Sequence, residues 1–206
     1  MGIYMSEIKL SLATKSDSES ILNIYAPYVE ETAITFEYVV PTLENFTQRM
    51  EKIISEFPFI ICKIDGDTVG FAYAHKQMER SAYQWNAELS IYVKMGFYQK
   101  GIGTALYNAL IRILSAQNIK NLYGCVTIPN EKSEKLHAHF GFKSLGVYHM
   151  TGYKFDKWYD VVWFEKYLGE HTVPPKPFIP IGKMDKEYLD YIFSSSEKYI
   201  KSAKKS

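Results

Sequence analysis

YQKGIGTALYNALIRIL, residues 98–114, sets two glycines one residue apart directly before an amphipathic run. After Gly103 the apolar positions fall at Leu106, Ala109, Leu110, Ile113 and Leu114, the three-and-four spacing that buries one face of a helix. The glycines therefore open a helix. A helix start exposes unpaired backbone N–H groups and the positive end of the dipole, and glycine there lets an anion come close to the backbone. A phosphate is the default ligand, and a tight strand-to-helix turn without a ligand is the other reading. Spacing excludes two familiar phosphate loops. A P-loop needs a lysine after its second glycine, where Ile102 follows Gly101, and a dinucleotide fingerprint needs a third glycine where Leu106 stands.

Outward from this helix the chain alternates between two periodicities. Upstream, IKLSLAT reads as a strand, and the polar cluster Lys15, Ser16, Asp17 and Ser18 offers N-caps for a helix over ESILNIYAPYV. LENFTQRMEKII is a second helix. FPFIICKIDGDTVGFAYAHK reads as two strands joined at Asp65-Gly66, a hairpin signal, and AELSIYVK (87–94) as a third. Downstream come a strand at NLYGCVTI, a helix over NEKSEKLHAHF and a pair of long aromatic-rich strands ending at EKYL. The order βαα, βββ, α, β, α, ββ predicts an α/β protein with a mixed sheet. From about Gly169 the four prolines of HTVPPKPFIPIGK rule out a regular element and predict an extended strap. A short terminal helix follows, with apolar spacing at Met184, Tyr188, Leu189 and Ile192, and then a solvated tail of lysines and serines.

Composition narrows the classes. Lys+Arg 24 against Asp+Glu 23 leaves no global electrostatic case for nucleic acid or an anionic membrane. No charged-then-apolar leader opens the chain and no apolar run reaches the length of a membrane span, which points to a cytoplasmic protein. Met1-Gly2 with Ser6 formally matches a myristoylation signal, but nothing strongly basic follows to support an anchor. Cys62 and Cys125 sit in apolar runs and read as buried core residues. The five histidines show no metal-ligand spacing, so no metal is expected.

AELSIYVKMGFYQKGIGTAL followed by CVTIPNEKSEKLHAHFGF resembles the GCN5-related N-acetyltransferase (GNAT) superfamily, and within it the phosphinothricin and methionine sulfoximine N-acetyltransferases. ATKSDSESILNIYAPYVEETAITFEY, ERSAYQWNAELSIYV, GYKFDKWYDVVWFEKYL and VPPKPFIPI extend that likeness to about Pro180. The resemblance implies a mixed, mostly antiparallel central sheet flanked by helices, in an acetyltransferase domain over residues 6–168. The strap and lysine-rich extension then occupy 169–206. It also implies acetyl-coenzyme A as co-substrate, a small-molecule amine acceptor and a homodimer. The backbone of Gln99, Lys100, Gly101, Ile102, Gly103 and Thr104 would cradle the pyrophosphate, and Ile91, Tyr92 and Val93 would pair with the pantetheine arm. Asn130 and Ser133 of the later helix complete the cofactor set. The family's usual Gln/Arg falls at Tyr98 here, with Gln99 one place late.

Acetyl transfer needs a neutral amine, and an α-amino group with a pKa of about 8 is largely protonated at neutral pH. A general base is required. Glu88 matches the family's catalytic glutamate, and His137, on the Asn130 helix, is assigned as general acid or polar group of the site. His139, two positions on, points to a different face. The resemblance further implies that Arg80 and Tyr83 anchor an acidic acceptor, that Thr35, Phe36 and Glu37 face it, and that Tyr153, Lys154 and Trp158 close the pocket, across a dimer. The runners-up are transfer to a polyamine, an aminoglycoside or a protein N-terminus, and a coenzyme A-binding protein without catalysis.

Overall fold

The computed structural model describes residues 6–201. The Met1-Gly2 start and the lysines of the tail, Lys204 and Lys205, lie outside the described residues. The chain runs β1 (Ile8–Leu12), α1 (Ser18–Glu31), α2 (Leu43–Ile54), β2 (Phe59–Ile64), β3 (Asp67–Lys76), β4 (Asn86–Val93), α3 (Ile102–Ala116), β5 (Asn121–Ile128), α4 (Glu131–His139), β6 (Lys143–Lys154), β7 (Lys157–Tyr167) and α5 (Lys186–Glu197). The predicted element order is borne out.

One seven-stranded sheet has the order β1-β2-β3-β4-β5-β7-β6. Every neighbouring pair is antiparallel except β4 with β5. The sheet is therefore mixed but mostly antiparallel, as the resemblance implied. Helices cover both faces, because strands alternate their side chains and each face carries its own apolar set. Ala87, Leu89, Leu122 and Val126 join α3 and α5 in one core, while Phe59, Ile61 and Phe71 join α1 and α2 in the other.

Leu106, Ala109, Leu110, Ile113 and Leu114 of α3 are all fully buried, as their spacing predicts. Ala105 and Tyr107 are buried as well, because α3 is sandwiched between the sheet and α5. On α5 the buried face is Leu189, Ile192, Phe193 and Ser196, whereas Tyr188, expected to face inward, is exposed. Asp185 caps that helix by accepting from Tyr188 N–H at 2.7 Å, and the face that packs on α3 and β1 begins one residue later, at Leu189. The strap contains no helix or strand from 168 to 180. It is tied down instead by Trp85 Nε1 donating to Lys176 O at 2.8 Å and by Asn118 Nδ2 donating to Pro177 O at 2.7 Å.

Cys62 is fully buried, but Cys125 is exposed and corrects the expectation of two core cysteines. The alternation along β5 sends Leu122, Gly124 and Val126 into the α3 face and turns Cys125 the other way. Among the described residues no helix is long and apolar enough to cross a membrane.

Candidate active site

β4 and β5 pair only through Asn86 with Asn121, Ala87 with Leu122 and Glu88 with Tyr123. Beyond those pairs β4 continues to Val93 and β5 to Ile128 without a shared ladder. Two strands that part leave backbone N–H and C=O groups facing each other across a slot, and such groups need partners. The slot suits an extended ligand that carries amides of its own and completes the interrupted ladder.

At the mouth of the slot lies a cleft of about 600 Å³. Ile91 and Val93 of β4 form one wall, and Gln99, Gly101, Ile102, Gly103 and Thr104 form another. Asn130, Lys132 and Ser133 close the third side, so the N-termini of both α3 and α4 open into one space. Convergent helix N-termini make a site for an anion. Gly101 sits at φ +84° and Gln99 at φ +62°, which curls the loop sharply into α3. Asn130 caps α4, its Oδ1 accepting from Ser133 N–H at 3.2 Å, while Glu134 returns to Asn130 N–H at 3.0 Å.

A smaller cavity of about 60 Å³ continues inward between the parted strands, sharing Ile91, Asn130 and Ser133 with the cleft and adding Tyr92, Tyr107, Cys125 and His137. Lys100 lines neither space; its ammonium sits over the Phe97 ring at 4.4 Å. Tyr98, standing where the resembled family has Gln/Arg, lines the cleft with Lys132 over its ring at 4.2 Å. Desolvation by the pocket walls, and then the Glu88 charge, push the Cys125 thiol up to about 12, so it stays protonated at neutral pH.

Glu88 is half-buried, opposite His75 on one side and Tyr123 on the other. Burial raises its pKa, and His75 offsets part of that. A raised pKa makes this carboxylate a stronger base than an ordinary one, which suits a proton acceptor. His137 is 2% exposed and both its ring nitrogens are engaged. Nδ1 lies 2.8 Å from Ser133 O, an acceptor, so Nδ1 carries the proton and Nε2 accepts from Tyr107 O–H at 3.0 Å. Burial lowers the His137 pKa and the Ser133 bond offsets part of the effect, which favours the neutral ring. Gly124 permits this packing, since a Cβ there would meet His137 Nε2 at 2.3 Å. His139 is exposed, as expected.

The residues expected on the acceptor side line neither the cleft nor the inner cavity. Thr35, Phe36 and Glu37 form the α1–α2 connection, with Thr35 hydroxyl 2.8 Å from Tyr25 hydroxyl, Phe36 against Gly152 and Glu37 paired with Arg49. Arg80, Tyr83, Tyr153 and Trp158 are exposed. Lys154 corrects the expectation of a pocket residue. It is 2% exposed and donates to Val29 O at 2.6 Å, Thr32 O at 2.8 Å and Thr35 O at 2.9 Å, so all three of its protons are spent inside the fold. Sequence reading missed Ile34 and Tyr107, which sit beside the parted strands but carry only an apolar-spacing signal.

A family model described as an acetyltransferase (GNAT) domain matches residues 10–163. The phosphinothricin N-acetyltransferase of Streptomyces coelicolor is 30% identical over 79% of this chain and 98% of its own length. The L-methionine sulfoximine/L-methionine sulfone acetyltransferase of Salmonella typhimurium is 24% identical over 80% of this chain and 97% of its own. Among solved structures, a GNAT superfamily phosphinothricin acetyltransferase from Sinorhizobium meliloti, determined in complex with acetyl-coenzyme A, matches with a TM-score of 0.78 and 28% identity. That match covers 82% of this chain and 92% of the other.

Proposed function

The chain belongs to the GNAT acetyltransferase family, and from that premise we propose that it transfers acetyl from acetyl-coenzyme A directly to the α-amine of a small amino-acid-like acceptor. Phosphinothricin and methionine sulfoximine define the acceptor class, after the relatives that bear those names. The observation that carries the reading is the slot between β4 and β5 opening into a cleft ringed by two helix N-termini. Its amide-lined length fits a pantetheine arm, and the Gly101 and Gly103 backbone fits a pyrophosphate.

Bound there, acetyl-coenzyme A supplies the activated acetyl group. Glu88 takes the proton of the acceptor's ammonium, through a water, and frees its lone pair. A backbone N–H on the β5 side of β4 near Ile91, past the point where the two strands part, faces the oxygen on which charge develops. His137, with its Nδ1 proton on Ser133 O and Nε2 accepting from Tyr107, is the polar group of the inner cavity, and the departing thiolate takes its proton from water. Arg80 and Tyr83 hold the acidic head of the acceptor, and Thr35, Phe36 and Glu37 set the wall beside it. Among the described residues no group of three or more His, Cys, Asp or Glu side chains could hold a metal ion.

The active form is a homodimer and the location cytoplasmic. β6 supports the first: it is an edge strand, exposed along most of its length, with Leu145, Tyr148 and Met150 bare. Free Cys62 and Cys125 support the second.

Coenzyme A release tests the activity against a panel of phosphinothricin, methionine sulfoximine, methionine sulfone, common amino acids, spermidine and an aminoglycoside. Turnover confined to the phosphinate and sulfoximine-like acceptors is the expected result. Turnover only with polyamines or aminoglycosides overturns the acceptor class, and coenzyme A binding with no turnover on any amine overturns catalysis.

A further inference from the structure

The loop that opens α3 has two faces. One lines the cleft, and the other is covered by the segment that leaves α5. A Cβ at Gly101 would meet Tyr199 O at 1.9 Å, and Lys201 N–H donates to Lys100 O at 2.9 Å. This end of the chain is anchored rather than draped. Ile200 is 7% exposed within the α3 core, Glu197 Oε1 accepts from Leu10 N–H at 2.8 Å, and Asn108 Nδ2 donates to Ser196 Oγ at 2.9 Å. Residues 198–201 thus form a fixed platform under the loop, beyond the residues 10–163 that match the family.

A planar trans peptide points its C=O and its N–H in opposite directions. The bond from Lys201 holds the Lys100 carbonyl toward the platform, and the same peptide plane carries the Gly101 N–H. That N–H is aimed away from the platform, toward the side on which Gly101 lines the cleft. We infer that the C-terminal segment 198–201 is a positioning element for the ligand's diphosphate: the backbone of Lys201 orients the Gly101 amide, and Ile200 keeps the platform in place. The inference rests on the reading of the cleft as a coenzyme A site. Preorganising one donor removes part of the ordering cost of binding, which places the effect in affinity for diphosphate-bearing ligands rather than in the acceptor side.

The test compares the full chain with Lys201→Pro, which lacks the N–H, and with a chain ending at Lys198, which keeps α5 but lacks the platform. Titration with coenzyme A reads the affinity, thermal midpoints report folding, and S-acetylpantetheine serves as a donor without the diphosphate. The expected result is a coenzyme A Kd raised about tenfold in both variants, the scale of one lost charge-assisted hydrogen bond. The kcat/KM with S-acetylpantetheine and the acceptor KM stay unchanged. A coenzyme A Kd within about twofold of the full chain in either folded variant overturns the inference, as does an equal loss with both donors, which marks general damage. Failure of the full chain itself to bind coenzyme A is a different result and overturns the reading of the cleft.

Discussion

Glu88 and Tyr123 form the last pair before β4 and β5 part, so Glu88 stands at the closed end of the slot, and it lines neither the cleft nor the inner cavity. Desolvation there raises its pKa against a smaller opposing pull from His75. A raised carboxylate pKa means the native state holds its proton more tightly than the unfolded chain, so ionised Glu88 costs stability above that raised value. Glu88→Gln is therefore expected to cut kcat by about 100-fold at neutral pH while raising the thermal midpoint. The gain in midpoint fades as pH falls through the raised value toward the ordinary carboxylate pKa, where Glu88 is neutral anyway. Steady-state kinetics and a pH series of melting curves check both halves; a variant that loses coenzyme A affinity as steeply as turnover removes Glu88 from the role of base.

Tyr107 donates to His137 inside a wall of Phe142 and Phe164 rings. His137→Leu leaves that hydroxyl without an acceptor and is expected to cost about 2 kcal/mol in denaturant unfolding. His137→Gln keeps an acceptor and separates the titration from the packing. The folded pKa of His137 is lowered, so its neutral form contributes stability that is whole above the unfolded value and is lost as pH falls below it. The advantage of the wild type over His137→Gln should shrink between about pH 7.5 and about pH 5.5. An advantage that is flat across that range contradicts the buried neutral ring.

Lys154 ties β6 to the end of α1 and to the α1–α2 connection through three carbonyls on one ammonium. Lys154→Met is expected to lower stability by about 3 kcal/mol, since hydrogen bonds to a buried charge are stronger than neutral ones and three carbonyls lose their donor. Lys154→Arg should not rescue it, because a planar guanidinium cannot direct three protons into a trigonal set of acceptors. Under the proposed function both variants also raise the acceptor KM, by loosening Thr35 and Phe36, with the coenzyme A Kd unchanged. Full stability in Lys154→Arg would show that charge alone, not geometry, holds the connection.

What could be read from the chain and what could not follows from range. α2 and β5 coincide with LENFTQRMEKII and NLYGCVTI because their signals, caps and periodicity, are local. The glycine pair announced the start of α3 for the same reason. The parting of β4 from β5 left no trace, since AELSIYVK and NLYGCVTI alternate as they would in an unbroken ladder. Cys125 was misplaced because an apolar run does not say which face each residue takes. Lys154 was misplaced because the acceptors that hold it come from Val29 to Thr35, more than a hundred residues away. The covering of Gly101 by Tyr199 is equally non-local.

β6 is a long edge strand with unusually little cover: Leu145, Tyr148 and Met150 are each more than half exposed, and Tyr153 and Trp158 meet at a tilt beside the turn into β7 with centroids 5.2 Å apart. Natural edge strands are blunted by charge or covered, because a bare apolar edge pairs with whatever strand meets it. Under the proposed homodimer, pairing with a second copy of β6 would satisfy the edge and bury the aromatic set in one step. The double variant Tyr148→Glu, Met150→Glu places like charges where two such edges would face each other, and light scattering after size exclusion is expected to report a monomer in place of a dimer. If Tyr153 and Trp158 close the acceptor pocket across that interface, the monomer keeps its coenzyme A Kd while the acceptor KM rises about tenfold. A wild-type chain that elutes as a monomer at micromolar concentration, with full activity, removes both the dimer and the shared pocket.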